Sequence, residues 1–223
     1  MAEPRTHEIF VTRTSIQIPP DPGPRERFDP DDARHWYADE YAPWIVPRLP
    51  SPARPNRSAD RPWRLLCLLP GTHPYFSSYI QRMELDAVEA GLELQVRQAE
   101  WDVEHHLEQV REAVDEKPDF VIYVAHHSDI AALALSLLHG AGIPTLGSNM
   151  ALSPEAIRFV VGWTGPDSWA QSRALARRFA LAMGSRGGYA IIGHVAGTSV
   201  NLARTYGVLT ELREYAPQMT CLE

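Results

Sequence analysis

Aromatic and hydrogen-bonding side chains recur in this sequence directly after short apolar runs. Tyr75 and Phe76 stand just past the first such run, and Arg204 lies beyond the last. Aromatic faces give a flat ligand a surface to stack on, while amide, carboxylate and guanidinium groups give its hydroxyls directional partners. A polar, ring-shaped ligand needs both kinds of group at one place. The candidate ligand-binding residues from this pattern are Tyr75, Phe76, Trp101, Asp102, Asn149, Asp167 and Arg204.

These residues meet only if the apolar runs are neighbouring strands of one sheet. From Trp63 onward, short apolar runs alternate with amphipathic segments, a pattern typical of β-α-β units and a parallel sheet. Ser128 and Ser199 are the predicted N-caps of two of the helices. The predicted strands are residues 63–69, 92–98, 119–125, 143–148, 156–162 and 188–194. The predicted helices are residues 74–90, 103–116, 128–140, 167–183 and 199–215.

The predicted fold class is therefore α/β, with a doubly wound parallel sheet. Crossover connections between parallel strands are right-handed, so successive units wind into an open sheet with helices on both faces. In such sheets ligands bind outside the carboxyl ends of the strands. Because the candidate residues all follow predicted strands, we expect them to converge on that edge.

The first 62 residues differ in composition from the rest of the chain. Twelve of the nineteen prolines lie before Trp63, and proline at that density removes amide donors and keeps regular structure short. A strand at residues 8–18 and a brief helix at residues 29–44 are the ordered pieces expected there. The predicted division of the chain is a proline-rich extension (1–62), an α/β ligand-binding lobe (63–165) and a partial second α/β lobe (166–223).

Charge and composition exclude several classes of partner. The net charge is -7, so the chain has no broad basic field for a nucleic acid. No apolar run approaches the roughly 18 residues of a membrane span, and the first thirty residues lack the apolar stretch of a secretory signal. Cys67 and Cys221 have neither the spacing of a zinc site nor that of a disulfide framework. We expect no nucleic-acid partner and no membrane span in this chain.

Histidines at the same strand ends suggest an enzyme as an alternative. The residues concerned are His73, His126, His127 and His194. Histidine is a common metal ligand and general base, so a metal-dependent hydrolase is a competing interpretation. Against it, the spacing matches no zinc signature, and the sequence has no G-x-S-x-G elbow, P-loop or G-x-G-x-x-G fingerprint. The favoured interpretation has no catalysis, no metal and no cofactor, and it places His105 and His106 on the exposed side of the second helix.

Four segments, taken together, resemble one known family. They are residues 70–94, 119–146, 161–180 and 196–217. In their order and motifs they resemble the type I periplasmic sugar-binding proteins of bacterial ABC importers, the superfamily that includes ribose-binding proteins. The resemblance implies a two-lobed α/β receptor that closes at a hinge on a sugar or similar small polar molecule, without catalysis. It also implies a periplasmic location and an ABC transporter permease as partner.

The same resemblance assigns ligand contacts. The family's aromatic pair after the first strand matches Tyr75 and Phe76. The other matching positions are Trp101 and Asp102 after the second strand, Asp167 and Ser168 at the crossing into the second lobe, and Arg204 before the next glycine. Where ribose binders have Asp-Arg after the fourth strand, this chain has Gly147 and Ser148 followed by Asn149. The hydrogen-bonding set therefore differs, and the identity of the sugar is not implied.

Each candidate residue also has a purely structural interpretation. Tyr75 and Phe76 can pack the first helix against the sheet, and Arg204 can be a solvated helix charge. Asp102 and Asp167 can complement the dipoles of the helices that follow them, a role that is compatible with ligand contact. The sequence leaves these alternatives open.

The resemblance further implies that the second lobe is incomplete in this sequence. A full member has several more strands beyond the point where this sequence stops, so we expect exposed apolar surface and an unpaired strand edge. The same core also occurs in the ligand-sensing domains of transcriptional regulators and sensors. Residues 1–62 lack the two adjacent amphipathic helices of a helix-turn-helix, which disfavours the regulator.

Overall fold

The computed structural model describes residues 49–52, 61–193 and 198–222. The strand predicted at residues 8–18, the helix predicted at residues 29–44, and His194 lie outside the described residues. The elements in chain order are β1 (Trp63–Leu69), α1 (Pro74–Glu89), β2 (Leu92–Gln98), α2 (Val103–Glu116), β3 (Phe120–Tyr123), α3 (Ser128–Gly140), β4 (Thr145–Ser148), α4 (Pro154–Ile157), β5 (Gly162–Thr164), α5 (Ser168–Ala182), β6 (Gly187–Tyr189), α6 (Ser199–Tyr215) and β7 (Met219–Cys221).

The first five strands form one parallel sheet in the order β2-β1-β3-β4-β5. Strand β1 pairs along its whole length with β2, from Trp63 opposite Leu92 to Leu69 opposite Gln98, and with β3 on its other side. All five carboxyl ends therefore point to one edge of the sheet, where ligands bind in folds of this kind. The predicted α/β fold with a doubly wound parallel sheet is confirmed. We call β1 to β5 with α1 to α4 the first region.

Helices cover both faces of this sheet because β1, one of its interior strands, is apolar on both sides. Leu66 and Leu68 join the core that contains α2 and α3, whereas Cys67 and Leu69 face the opposite way and pack with Phe76 of α1. These four strand residues are at most 2% exposed. Full burial of an apolar side chain of this size stabilises a fold by about 1.5–3 kcal/mol. Because successive side chains of β1 point to opposite faces of the sheet, their burial stabilises a helical layer on each face.

The strand predicted at residues 156–162 is wrong. Residues Pro154–Ile157 form the short helix α4, and β5 begins only at Gly162. The Ser153 hydroxyl accepts from the backbone N–H of Ala156 at 3.3 Å, and a proline occupies the first helical position, so a helix start is encoded immediately before the apolar run.

Two boundaries near α6 also differ from expectation. The strand predicted at residues 188–194 is much shorter, because β6 ends at Tyr189. Thr198 rather than Ser199 is the N-cap of α6: the threonine hydroxyl accepts from the backbone N–H of Asn201 at 3.2 Å. Ser199 is therefore the first residue inside the helix, and its side chain is not used for capping.

Helices α5 and α6 with the parallel pair β6 and β7 form what we call the second region. The two helices pack through small and apolar side chains and through a buried ion cluster. In that cluster the Glu211 carboxylate, 1% exposed, accepts from Nε of Arg173 at 2.7 Å and from Nε of Arg177. The buried apolar residues of this packing are Ala176, Ala180, Leu212, Ala216 and Met219.

The described residues before β1 contact the first region. The Leu49 backbone N–H donates to the Arg158 carbonyl at 2.8 Å. The Arg61 guanidinium forms two hydrogen bonds to the Asp119 carboxylate, and this pairing lowers the pKa of Asp119 below its usual value. Within the described ranges, no helix is both long and apolar enough to span a lipid bilayer.

Candidate functional site

The loop after β2 fixes an indole ring at the carboxyl edge of the first sheet. Glu100 and Trp101 have φ angles of 53° and 62°, in the left-handed region that non-glycine residues seldom adopt. The Trp101 backbone N–H donates to the Pro70 carbonyl at 2.8 Å, and its indole Nε1 donates to the Thr72 carbonyl at 3.1 Å. A Cβ on Gly71 would lie 2.6 Å from the indole, so only glycine leaves room for the ring. Trp101 is held by backbone contacts and still remains 47% exposed.

The aromatic pair after β1 divides into an exposed and a buried ring. Tyr75 is 53% exposed, whereas Phe76 is 4% exposed and belongs to the core beneath α1. The centroid of Phe76 lies 5.5 Å from that of Tyr75 and 6.2 Å from that of Trp101. Phe76 therefore supports two exposed rings from below, and Tyr75 and Trp101 present the aromatic surface.

A chain of hydrogen bonds connects this surface to the end of β4. The Tyr75 hydroxyl donates to Oδ1 of Asn149, Nδ2 of Asn149 donates to Oγ of Ser148 at 3.0 Å, and that oxygen lies 3.0 Å from the Tyr79 hydroxyl. Asn149 has a left-handed φ of 61°, and its backbone N–H donates to the Thr164 carbonyl at 2.8 Å. The strand end thus places an amide side chain beside an exposed aromatic ring.

The two candidate aspartates are both helix N-caps. Oδ1 of Asp102 accepts from the backbone N–H of His105 at 3.0 Å, and Oδ1 of Asp167 accepts from that of Ala170 at 2.9 Å. The hydrogen bond from the His105 backbone lowers the pKa of Asp102. An ionised carboxylate has more than one lone pair on each of two oxygens, so capping leaves acceptor capacity for a ligand hydroxyl.

Ser168 and Arg204 lie in the second region. Ser168 is 7% exposed, and its hydroxyl has no hydrogen-bond partner among the described residues. The neighbouring Trp169 packs with Ala203 of α6 and with Ala151, which follows β4. The start of α5 therefore abuts the first region, while Arg204 is an exposed residue of α6.

A buried polar pair lies in the core of the first region. His106 is 1% exposed, contrary to the expected exposed position, and its ring stacks on Tyr123 with centroids 5.1 Å apart. Neither the His106 nitrogens nor the Tyr123 hydroxyl has a hydrogen-bond partner in the described part of the chain. Burial, with smaller contributions from His126 and His105, lowers the pKa of His106 to about 4, so the ring is neutral at pH 7.

The histidines at the strand ends have separate surroundings. Nδ1 of His73 accepts from the Tyr75 backbone N–H at 3.2 Å, so His73 caps α1. His126 stands edge-on to Trp101, with centroids 6.0 Å apart. In the three described ranges, no three or more His, Cys, Asp or Glu side chains are grouped to hold a metal ion.

Three parts of this site were missed by the sequence reasoning. They are the His73 cap, the Tyr79 hydroxyl and the close approach of Gly71 to the indole. One of them had a signal in the sequence, because Tyr79 is four residues after Tyr75 and such residues share a helix face. The other two depend on loop conformations that no periodic pattern indicates.

A comparison of the sequence with known families finds one match. Residues 66–223 match the family described as periplasmic binding protein domain, a span that includes every candidate ligand-binding residue. No curated protein sequence matches the chain.

Solved structures of solute-binding proteins share the fold. An ABC transporter periplasmic solute-binding protein from Actinobacillus succinogenes with bound D-allose is 24% identical, with a TM-score of 0.63 over 73% of this chain and 58% of that one. One from Burkholderia graminis in complex with D-arabinose is 14% identical, with a TM-score of 0.67 over 75% and 57%. A third, from Agrobacterium vitis with tagatopyranose, is 19% identical, with a TM-score of 0.65 over 72% and 57%. The chain thus spans a little over half the length of each.

Proposed function

The chain belongs to the family of periplasmic binding protein domains, and we propose on that premise that it is a receptor for a sugar or sugar-like small polar molecule. The ligand binds at the carboxyl edge of the first sheet, between two lobes that close about a hinge. The proposed partner is the permease of an ABC importer, and the proposed location is the periplasm. The sugars bound in the structures of similar fold support the ligand class. In this proposal the receptor carries out no chemical step.

One observation carries this proposal. Two exposed aromatic rings, Tyr75 and Trp101, lie at the edge of the sheet where α/β folds bind ligands, and the Tyr75 hydroxyl is hydrogen-bonded to the amide of Asn149 at the same edge. Exposed tyrosine and tryptophan side chains that are both supported from below lose little conformational freedom when a ligand stacks on them. The site therefore combines a preorganised apolar surface with a directional hydrogen-bonding group, as a sugar ring requires.

The hydrogen bond between Tyr75 and Asn149 indicates how a sugar enters. Both groups are polar and reachable, so a ligand hydroxyl can take the place of either partner without leaving a group unsatisfied. Exchange of one such hydrogen bond for another changes the free energy little, because the net value of a hydrogen bond is only about 1 kcal/mol. Affinity then comes mainly from stacking, and Asn149 selects the orientation of the hydroxyls.

The second region contributes the opposite wall in this proposal. Asp167 caps α5, Ser168 is the first residue of α5, and Arg204 lies on α6; the starts of both helices face the first region near Ala151. A ligand that touches both walls binds the closed arrangement better than the open one, and the population shifts by that difference in affinity alone. The closed form is then the form that a permease recognises.

Titration calorimetry of the full chain against neutral pentoses and hexoses tests the proposal. At least one sugar should give saturable heat, and Tyr75→Ala should weaken its binding by about 1–3 kcal/mol through the loss of stacking. Phe179→Ala is the matched control, because Phe179 is a partly exposed aromatic residue of α5 that contacts Tyr189 in the second region. The absence of saturable heat with every sugar, or an equal effect of both substitutions, would contradict the proposal.

A further inference from the structure

A hollow of about 370 Å³ lies in the second region, between α6 and the short sheet. One face of α6 lines it, because Tyr206, Leu209 and Arg213 are three and four residues apart and therefore share a side of the helix. Tyr189 of β6 and Pro217, which follows α6, also line it. Ligand sites in proteins begin at about 300 Å³, so the hollow has room for an occupant.

The lining combines apolar and aromatic groups with a single charge. Arg213 is exposed, and none of the lining residues is acidic. Among the described residues, neither the Arg213 guanidinium nor the Tyr206 hydroxyl has a hydrogen-bond partner. Both groups donate to backbone carbonyls, and a guanidinium also pairs with a carboxylate. The hollow therefore fits an occupant that has apolar rings, free carbonyl groups and a negative charge.

Proline-rich peptides have these properties and bind in aromatic-lined grooves. Proline fixes φ and favours the extended polyproline II helix, whose carbonyl groups make no internal hydrogen bonds. Four residues of such a helix span about 9 Å. The face of α6 from Tyr206 to Arg213 spans about 10 Å, so the two lengths match.

This chain contains a matching segment outside the described residues. Residues 18–24 have the sequence IPPDPGP, in which Asp21 is the only charged residue and is opposite in sign to Arg213. The other dense proline run, residues 47–55, contains two arginines and already contacts the first region through Leu49. Charge complementarity therefore favours residues 18–24 as the occupant.

The intervening length of chain allows this segment to reach the hollow. About 25 residues connect it to Leu49, and an extended chain of that length spans up to about 80 Å. Helix α6 is about 25 Å long, and it starts beside the first region, where Ala203 and Trp169 pack with Ala151. The hollow on α6 is thus accessible to residues 18–24 of the same chain.

We propose that residues 18–24 dock in this hollow of their own chain. Their prolines pack against Tyr189 and Tyr206, and Asp21 lies beside Arg213. Because described residues before β1 contact the first region, the extension then forms a second connection between the two regions. This docking requires no sugar, so it stands or falls separately from the proposed receptor function.

Fluorescence anisotropy of a labelled peptide of residues 14–28 tests this docking. The peptide is titrated with the native full chain and with a full chain that carries the four substitutions Pro19→Ser, Pro20→Ser, Pro22→Ser and Pro24→Ser. The substituted chain should bind the peptide saturably, because its hollow is empty. The native chain should bind it at least about 10-fold more weakly, because its own segment competes at a high effective concentration.

Further substitutions in the proline-substituted chain locate the binding surface. Tyr206→Ala should weaken peptide binding by about 10-fold through loss of the ring. Arg213→Gln should weaken it by about two- to fivefold, and it should have no effect on a peptide that carries Asp21→Asn. Leu175→Ala is the matched control, because Leu175 is 65% exposed on α5 and does not line the hollow. Thermal melts identify loss of folding, and Arg213→Gln gives the answer if Tyr206→Ala does not fold.

Several results would overturn the proposal. Equal binding of the peptide to the native and the proline-substituted chains would mean that the hollow is open to a partner in trans. Binding that Tyr206→Ala and Arg213→Gln both leave unchanged would place the segment elsewhere, and a peptide that binds neither chain would remove the docking altogether. A native chain that is a dimer in light scattering, and a monomer after Tyr206→Ala, would assign the hollow to a second copy.

Discussion

The first and second regions of this molecule are stabilised in different ways. The first region has a five-stranded sheet in which the leucines and the cysteine of the interior strand β1 are buried on both faces. The second region has two three-residue strands and a helix pair whose interface contains Glu211 between two buried arginines. Apolar packing tolerates small changes locally, whereas a buried ion cluster fails when one charge is removed. The two rings proposed to bind the ligand, Tyr75 and Trp101, belong to the first region, which should tolerate small changes better.

The two regions also differ in the kind of surface they offer. The second region has the hollow between α6 and its short sheet. Its lining is mainly apolar, and we assign it to the proline-rich segment rather than to a sugar, because a polar ring needs convergent hydrogen-bonding groups. The lining residues are Tyr189, Tyr206, Leu209, Thr210, Arg213, Pro217 and Met219.

The largest effect is expected from the ion cluster of the second region. Glu211→Gln leaves Arg173 and Arg177 buried without their shared counter-charge and should lower the free energy of unfolding by about 3–5 kcal/mol. Replacement of all three residues together by apolar side chains should recover most of that loss. Denaturant unfolding curves measure both effects. A loss below about 1 kcal/mol for Glu211→Gln would show that the cluster does not stabilise the helix pair.

A core substitution in the first region should rank next. Leu68 is fully buried in β1, and Leu68→Ala should cost about 2–5 kcal/mol through lost burial and the cavity left behind. Leu85→Ala is the matched control, because Leu85 is 61% exposed on α1 and should change stability by less than about 0.5 kcal/mol. Equal effects of the two changes in denaturant titrations would contradict the described core.

The buried histidine should make the stability of the first region depend on pH. The folded-state pKa of His106 is lowered to about 4 from an ordinary 6.5, so between these values the unfolded chain binds more protons. Stability should therefore fall as the pH is lowered from about 6.5, with a loss of roughly 3 kcal/mol by pH 4.

Unfolding curves measured across that pH range check this expectation. His106→Phe should remove much of the slope, since phenylalanine keeps the ring against Tyr123 and does not titrate. His139→Gln, on the half-exposed end of α3, should retain it. A slope that His106→Phe leaves unchanged would mean that other groups cause the acid sensitivity.

The smallest effect is expected where the first region holds the indole. Gly71→Ala places a methyl group 2.6 Å from the Trp101 ring and should cost about 1 kcal/mol by overpacking. It should also weaken sugar binding several-fold, because the ring must move. Gly140→Ala has open space around the new methyl group and should affect neither property. Melting curves and calorimetry together distinguish displacement of the ring from general destabilisation.

The sequence predicted the elements where one strong periodic pattern applied. Strands β1 and β2 and helices α2, α3 and α6 begin and end where expected. The prediction of a strand at residues 156–162 was wrong because a short apolar run fits a buried helix equally well. Ser153 and Pro154 were the signal for a helix start. The ion cluster was not predictable, since Glu211 is brought to its arginines only by the packing of two helices.

The candidate site was predictable to a similar degree. Tyr75, Trp101 and Asn149 each follow a strand, and the carboxyl ends of parallel strands lie at one edge of the sheet, so the sequence predicted that these residues share that edge. The burial of Phe76 beneath Tyr75 and Trp101 was not indicated, since the sequence does not tell which of two adjacent aromatic residues on a helix faces the sheet. The N-cap of α6 was also missed, because the sequence pointed to Ser199 rather than Thr198.

A crystal structure of the full chain with its tightest-binding sugar tests the central claim most directly. We predict that the sugar ring lies against Tyr75 and Trp101, within hydrogen-bonding distance of the Asn149 amide. A sugar found instead in the hollow between α6 and the short sheet, with the edge of the first sheet empty, would contradict the account.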